Sequence, residues 1–425
     1  MLIVAFITFC VKILSFYKET VIAGTYGLSE LLDTFLVAIL IPTFVQSVFI
    51  SSMKNLFIPN YIIELKQNGD KKSFQTIVFL MTLTISVVSI FITLISIDLF
   101  LELIFPNHTD LYYDLVKRQL NILLPCLLFW GISNVLSGLL EIENKFLIST
   151  FADVIPIITI ILFLFLYEES LVEMTLAYGT LTGSFFAFVY LILFSRKLIC
   201  IDFKAPKINS NSKQMLRQLP PKISSSFLSI MNEFIDQFFA GSLVVGSIAA
   251  LNYGNRISAF SITIIIMAMG NVLLPHFSRL VSLNPIYAFK YLYKVLKIVF
   301  FSSLVIVVIL IFASETIITL WLEHGNFKRN DTMKVTYIQQ ILLFSVPFYL
   351  CTRIIVKFLT SINKNRFMAW ISLFNLLINV LLNLILIKYY GVYGLALSTT
   401  FVLIISAFIY FLFTHKQFKK INYED

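Results

Sequence analysis

Several ionisable side chains of this sequence sit inside apolar runs, where they are expensive. Lys12, Lys18 and Glu19 fall within residues 2–25, Asp33 and Lys54 within 32–58, and Lys222, Glu233 and Asp236 within 218–244. Arg256 follows Asn255 within 249–274, and Arg353 and Lys357 stand four apart within 337–361. Each would cost about 2.5 to 3.5 kcal/mol at the centre of a membrane helix, so such groups point to a cavity that they line. At about 100° per residue Lys18 lies about 120° round a helix from Lys12, and Glu19 only about 20° from it. Lys12, in mid-run, reads as the cationic wall of a water-filled cleft. Lys18 either shares that role or extends its head group to the helix end. Asp33 opens its run, where it lines the cleft or caps the helix. Lys54, near the end of the same run, is expected to snorkel. Lys222, Asn255, Arg353 and Lys357 complete the polar lining. The basic groups outnumber the carboxylates, so the surplus charge predicts an anionic ligand. An anion about 4 Å from one cation gains about 4 kcal/mol at an effective dielectric of about 20. Two or three cations around a diphosphate could therefore hold it and still release it.

A second constellation is polar but uncharged. Asn375, Asn379 and Asn383 recur every four residues within 367–388. Such a ladder commonly joins helices by hydrogen bonds, which is the preferred reading here. With Asp236 and Thr399, these three asparagines would also offer hard oxygen ligands to a small cation such as Na⁺. The four cysteines (Cys10, Cys126, Cys200, Cys351) and the four histidines have no ligand spacing, and the cysteines are expected to act as small apolar fillers. No phosphate-binding glycine loop of the Walker type is present, so ATP hydrolysis is not expected. The net charge of +9 does not call for nucleic acid; in a membrane protein such an excess collects in cytoplasmic loops.

The elements that carry these groups follow from composition. The 425 residues are 59% hydrophobic and 13% charged, against about 25% charged in a soluble protein. Mean hydropathy is +0.90. The apolar runs are uncharged and do not alternate, as in 85–97, 155–167 and 298–313. That excludes a β-barrel, whose strands alternate over about 10 residues. Backbone groups in lipid must be bonded within their own segment, so the runs are helices. The sequence predicts an all-α polytopic membrane protein with about twelve spans, near 2–25, 32–58, 75–97, 119–141, 148–167, 173–195, 218–244, 249–274, 293–315, 337–361, 367–388 and 393–414. The loops between them are too short for a soluble domain, which needs at least about 50 residues. No cleavable signal peptide is expected, since the first run lacks a basic leader and contains Lys12. Lysine and arginine concentrate after the even-numbered spans, for example at Lys66, Lys71 and Lys72, at Arg196–Arg217, and at Lys416, Lys419 and Lys420. By the positive-inside rule both termini are cytoplasmic, which agrees with an even span count, since that places them on one side.

Short matches recur in order. Lys12-Ile13 pairs with Lys222-Ile223, and Asn55–Pro59 with Asn271–Pro275. Asn144-Lys145-Phe146 pairs with Asn365-Arg366-Phe367, and Ala187–Tyr190 with Ala407–Tyr410, each at roughly 210 to 220 residues. Two six-helix lobes are expected, 1–197 and 218–425, joined by a basic cytoplasmic linker at 198–217. Each has an even number of spans, so their pseudo-two-fold axis runs along the membrane normal.

The opening of the chain resembles the MurJ/MviN family of lipid II flippases, within the multidrug/oligosaccharidyl-lipid/polysaccharide exporter superfamily. The residues that carry the resemblance are Lys12–Glu19, Ile22-Ala23, Tyr26–Ser29, Asp33–Ala38, Pro42 and Phe57–Pro59, then Tyr253–Arg256, Leu273–Pro275 and Val356-Lys357. The resemblance implies that Lys12, Lys18 and Arg256 hold a lipid diphosphate and that Asp33 is a functional acid. It also raises the prospect of Na⁺ at Asp236, Asn375, Asn379 and Thr399. Lysine stands where the family has arginine at the first two positions, keeping the charge without the bidentate fork. The family's second-span arginine is Gln46 or Ser47 here, its Glu-Gly-Ala stretch falls near Ser51–Met53, its acid before the eighth-span arginine is Asn255, and it has fourteen spans against twelve. The function implied is a flippase that moves a polyprenyl-diphosphate-linked sugar, lipid II or a capsule or O-antigen type precursor, by alternating access in the cytoplasmic membrane. Its partners would be that lipid and the bilayer, with no resident cofactor except Na⁺ as coupling ion. The alternatives are an ion-coupled drug or cation antiporter of the same superfamily, and a membrane polymerase or ligase acting on the same lipid.

Overall fold

The computed structural model describes residues 2–105, 108–202 and 206–424, excepting the side chains of 2–6, 104, 233, 261, 263–272, 275, 365 and 421–424. Among the described residues every regular element is helical, and the helices form twelve passages. The first three are α1 (Leu2–Tyr26), then α2 (Glu30–Val45) continued through a π-helical turn at Gln46–Ile50 into α3 (Ser51–Lys66), then α4 (Lys71–Ile104). Next come α5 (Asp110–Leu123) with α6 (Cys126–Ile142), α7 (Phe146–Phe151) with α8 (Val154–Leu171), and α9 (Thr175–Ser195). The second half holds α10 (Ser210–Gly241), α11 (Ser247–Leu283), α12 (Pro285–Leu322), α13 (Arg329–Leu343) with α14 (Val346–Ser361), α15 (Asn365–Tyr390) and α16 (Val392–Glu424). Ten of the expected spans lie within one passage each; 173–195 begins two residues ahead of α9, and 218–244 runs three residues past α10. By length and hydropathy alone seven segments among the described residues suffice to cross a membrane, and α13 with α14, bent by 40°, makes an eighth. One of the seven, Phe146–Ser195, contains two passages because the chain folds back at Val172. The remaining passages, α1, α10 and α11, are 25, 32 and 37 residues long and carry Lys12, Lys18, Glu19, Lys222, Glu233, Asp236 and Arg256 among the ionisable groups singled out above.

Local chemistry sets the helix ends. Ser29 accepts from the Leu32 amide at the start of α2, and Asn284 accepts from Tyr287 at the start of α12, ahead of Pro285. Asp70 accepts from the amides of Lys72 and Ser73 and from the Ser73 hydroxyl. Those bonds, the Ser73 hydroxyl foremost, hold its carboxyl below the usual range. Of the cysteines, Cys126 is buried as expected, whereas Cys10 and Cys200 are exposed.

The internal repeat is visible in the backbone, with one change of register. α6 ends at Asn144 with φ 58° and α14 ends at Asn363 with φ 57°. Lys145 and Lys364 then lead into α7 and α15. The matching pair is therefore Asn144-Lys145 with Asn363-Lys364, two residues ahead of the pairing read from sequence, because the left-handed residue that ends the helix is what recurs. The same offset carries Val172 (φ 38°) at the end of α8 to Gly391 (φ 54°) at the end of α15. Valine accepts that conformation at a cost of about 1–3 kcal/mol, which glycine avoids.

The chain packs as two compact units, residues 1–230 with 324–327, and residues 231–323 with 328–425. The division falls inside α10, beyond the linker expected at 198–217, because that stretch is bonded into the first unit. The amides of Cys200, Asp202 and Lys207 donate to Gln75, Thr76 and Ser73 on α4. Asn209 and Asn211 donate to the two carboxylate oxygens of Glu64 at 2.6 and 2.8 Å. Farther along α10, Ser226 bonds Ser52. Residues 324–327 join the first unit through Asn326, whose amide and side chain donate to Gly24 O and Thr25 O of α1 at 2.7 and 2.6 Å. Gly27 is needed there: its φ is +59°, and a Cβ would sit 2.6 Å from Asn326 O.

Candidate functional site

In the first unit α1 presents Phe9, Lys12, Ile13 and Tyr17 on one uncovered face. Lys12 makes no ion pair among the described residues. Lys18 pairs with the buried Glu19 at 3.2 Å. Asp33 is buried in the first turn of α2.

The same unit contains a polar cavity of about 380 Å³, walled by the π-helical turn, α3, α6, α7, α8 and α9. Lys54 does not snorkel: its ammonium donates to Glu141 Oε1 at 2.8 Å and to Ser137 at 3.0 Å in this cavity. Ser149 donates to the same carboxylate oxygen at 3.1 Å. A carboxylate one helix away satisfies the lysine within the bundle, so it has no need to reach for the interface. Trp130 Nε1 donates to Ser184 on α9 at 2.9 Å, and Asp153 faces the cavity from the start of α8. This site was missed in the sequence. Its signal was the recurrence of Trp130, Ser133, Asn134, Ser137 and Glu141 at three- and four-residue intervals, a polar stripe along an otherwise apolar helix.

The second unit brings together much of the expected cation set. Asp236 on α10 accepts from Asn383 Nδ2 at 2.8 Å and from the Thr399 hydroxyl at 2.7 Å. Asn383 Nδ2 also donates to Asn379 Oδ1 at 3.0 Å. Asn375 is elsewhere, donating to Ser406 on α16 at 3.0 Å. A four-residue ladder drifts by about 40° per step, so Asn375 lies about 80° round α15 from Asn383. Asn375 therefore joins helices, while Asn383 takes the place expected for it beside Asp236. Next to these residues is a small cavity of about 50 Å³ lined by Asp236, Asn252, Asn255 and Thr399, among others. Asn383 Oδ1 is buried with no hydrogen-bond partner. The cavity itself offers the Asp236 carboxylate, the Thr399 hydroxyl and the amides of Asn252 and Asn255, while Asn383 and, through it, Asn379 are bonded to Asp236; oxygen groups of this kind suit a hard cation.

The remaining basic residues are placed separately. Arg256 is exposed on α11, one residue after Asn255. Arg353 is exposed on α14, stacked over the Tyr349 ring at 4.7 Å and bonded to its hydroxyl. Lys357 lies one turn on, and Lys222 is half-buried on α10. The side chain of Glu233 lies outside the described residues.

The family profile described as "Lipid II flippase MurJ" matches residues 22–424. The sequence is 27% identical to a probable lipid II flippase MurJ of Buchnera aphidicola subsp. Schizaphis graminum, over 98% of this chain and 82% of that protein. It is 25% identical to the probable lipid II flippase MurJ of Rickettsia prowazekii, over 94% and 80%. Among solved structures, lipid II flippase MurJ in an inward closed conformation superposes with a TM-score of 0.81 at 24% identity, covering 98% of this chain and 88% of that one. An inward-facing multidrug resistance MATE transporter superposes at 0.80 and 15% identity, covering 98% and 99%.

Proposed function

The chain belongs to the lipid II flippase MurJ family, and on that premise we propose that it carries lipid II across the cytoplasmic membrane by alternating access. The family match over residues 22–424 carries this reading. The polar head group would cross within the protein while the polyprenyl tail stays in lipid. Lys12 and Lys18 on α1 and Arg256 on α11 are the proposed diphosphate ligands. Lys12, without an ion pair among the described residues, is the more available of the two lysines, since Lys18 must first exchange Glu19 for phosphate. Asp33, Lys222, Asn255, Arg353 and Lys357 are proposed as polar lining. Both termini are proposed to be cytoplasmic. No catalytic step, ATP or nucleic acid enters this reading; the membrane potential, about 2.3 kcal/mol per charge at ~100 mV, or an ion gradient would bias the cycle.

Outer-leaflet lipid II in intact cells, measured with an impermeant sugar-modifying enzyme, tests the cargo. Depletion of the protein, and replacement by Lys12→Ala or Arg256→Ala, should each lower the accessible fraction about tenfold or more. One lost cation–phosphate contact need only forfeit about 1.4 kcal/mol to do this. Unchanged accessibility after depletion, with no other flippase present, would overturn the reading.

Na⁺ is the proposed coupling ion, held in the second unit by Asp236, Asn379, Asn383 and Thr399. When bound it would supply positive charge that neutralises Asp236. A cation at about 100 times its dissociation constant stabilises its host by about 2.7 kcal/mol. Na⁺ should therefore raise the melting temperature relative to K⁺, Asp236→Asn should abolish that rise, and Asn375→Ala should keep it. An Asn375→Ala protein that lost the response would restore Asn375 to the site in place of Asn383.

A further inference from the structure

The cavity of the first unit suits a different chemistry from the two sites above. Its lining contains neither Lys12 nor Lys18. One lysine, Lys54, faces two carboxylates, Glu141 and Asp153, and Glu141 already neutralises it at 2.8 Å. Lys12 on α1 acts electrostatically on Asp153 as well, so charges of both signs balance about the cavity and no cation is left over for a diphosphate. The hydrogen-bonding groups left over are mainly acceptors. The contacts of Glu141 are all made by Oε1, leaving Oε2. Asp153 makes no ion pair among the described residues. The Ser133 hydroxyl is buried without a partner. Asn134 uses Nδ2 on the Trp130 carbonyl, at 2.9 Å, and keeps its amide oxygen. The Trp130 N–H is occupied by Ser184, so the indole offers the cavity only apolar surface. A volume of about 380 Å³ is far larger than a metal ion needs and falls in the range of small-molecule sites. Such a ligand is neutral, ring-sized, rich in hydroxyl donors and apolar on one face.

We propose that this cavity is a subsite for a neutral pyranose ring of the transported lipid. The inference rests on the reading of the cargo as a lipid-linked sugar and adds to it where one sugar is held during the cycle. Hydroxyl groups of the ring donate to Glu141, Asp153 and Asn134, and the face that carries its C–H bonds lies on Trp130. Recognition of the sugar is thereby separate from recognition of the diphosphate.

The test uses the full chain in nanodiscs with Trp321→Phe and Trp370→Phe, which leaves Trp130 as the only tryptophan. Lipid II, undecaprenyl diphosphate and the free disaccharide are titrated separately, with Trp130 emission followed alongside direct binding of labelled lipid. Lipid II should shift the emission, and undecaprenyl diphosphate should bind without shifting it. Asn134→Leu, which fills the cavity, should weaken lipid II binding at least tenfold and leave undecaprenyl diphosphate within twofold. Asp153→Asn, nearly isosteric, should weaken lipid II alone and guards against a folding defect in the first variant. Equal emission shifts with both lipids, equal losses of both in the variants, or a shift with the free disaccharide but none with lipid II would overturn the subsite and leave the flippase reading standing. A wild-type protein that bound neither lipid would overturn the flippase reading, and the subsite with it.

Discussion

Gly183→Leu is expected to prevent the first unit from assembling. α9 crosses α8 at Gly179 and Gly183, two glycines four residues apart on one face. A Cβ at Gly183 would lie 2.6 Å from Pro156 Cα and closer still to Thr159 Oγ1, and one at Gly179 would lie 3.2 Å from Ile160 Cα. The obstacle at Gly183 is backbone, which cannot rotate away as a side chain can. In lipid no hydrophobic force compensates, because the tails are as apolar as the helix surface; close packing is what holds such helices together. Overpacking alone costs about 1–3 kcal/mol, and a leucine that forces two helices apart should exceed that range. The measurement is the yield and melting temperature of detergent-purified protein. Gly183→Leu should give no monodisperse species, while Gly179→Ala, whose Cβ meets its neighbours at 3.2 Å, should melt only a few degrees early. Gly183→Leu protein that melted with the wild type would show that the helices do not pack through Gly183.

Glu141→Leu is expected to be the most damaging single change of charge in the first unit. It leaves Lys54 in the bundle without its carboxylate and also takes an acceptor from Ser149 and Ser137. Breaking one side of a buried pair costs about 3–5 kcal/mol. The two side chains are 22% and 26% exposed to the cavity, so the low end applies. Lys54→Met should cost less, since a carboxylate bonded to two serines is better supported than a bare ammonium. The double variant Lys54→Met/Glu141→Leu should recover most of the loss, because removing both charges together strands neither. Chemical unfolding of the four proteins gives the coupling directly. A double variant whose loss equals the sum of the single losses would mean that the pair has no energetic link.

The ladder joins α15 to α10 and α16 as preferred, but the snorkelling expected of Lys54 and the place of Asn375 in the cation set differ from the structure, for related reasons. Lys54 sits near the end of an apolar run, and from the run alone a short reach to the interface is the cheapest solution. That Glu141, 87 residues on, lies 2.8 Å from its ammonium depends on how α3 packs beside α6. Asn375, Asn379 and Asn383 look equivalent when counted by fours, yet the drift of a real helix separates their ends. The helix faces α10 at Asn383 and α16 at Asn375. Spacing along one helix cannot say which neighbour each step meets.

Sequence alone determined that this chain is a bundle of membrane helices, where its twelve passages run, and that its halves repeat. Lipid leaves a backbone no partner but itself, so each long apolar run has one structural solution, and that solution is local. The family resemblance was legible for a related reason, since its markers lie in contiguous stretches such as Lys12–Glu19 and Tyr253–Arg256. The tertiary structure alone decided that Glu141 holds Lys54, that residues 198–230 belong to the first unit, that Asn383 replaces Asn375 beside Asp236, and that one unit encloses a cavity sized for a small molecule. Each of these joins residues far apart in the chain, and the energy that selects them is close packing and polar pairing between helices, which no single run contains.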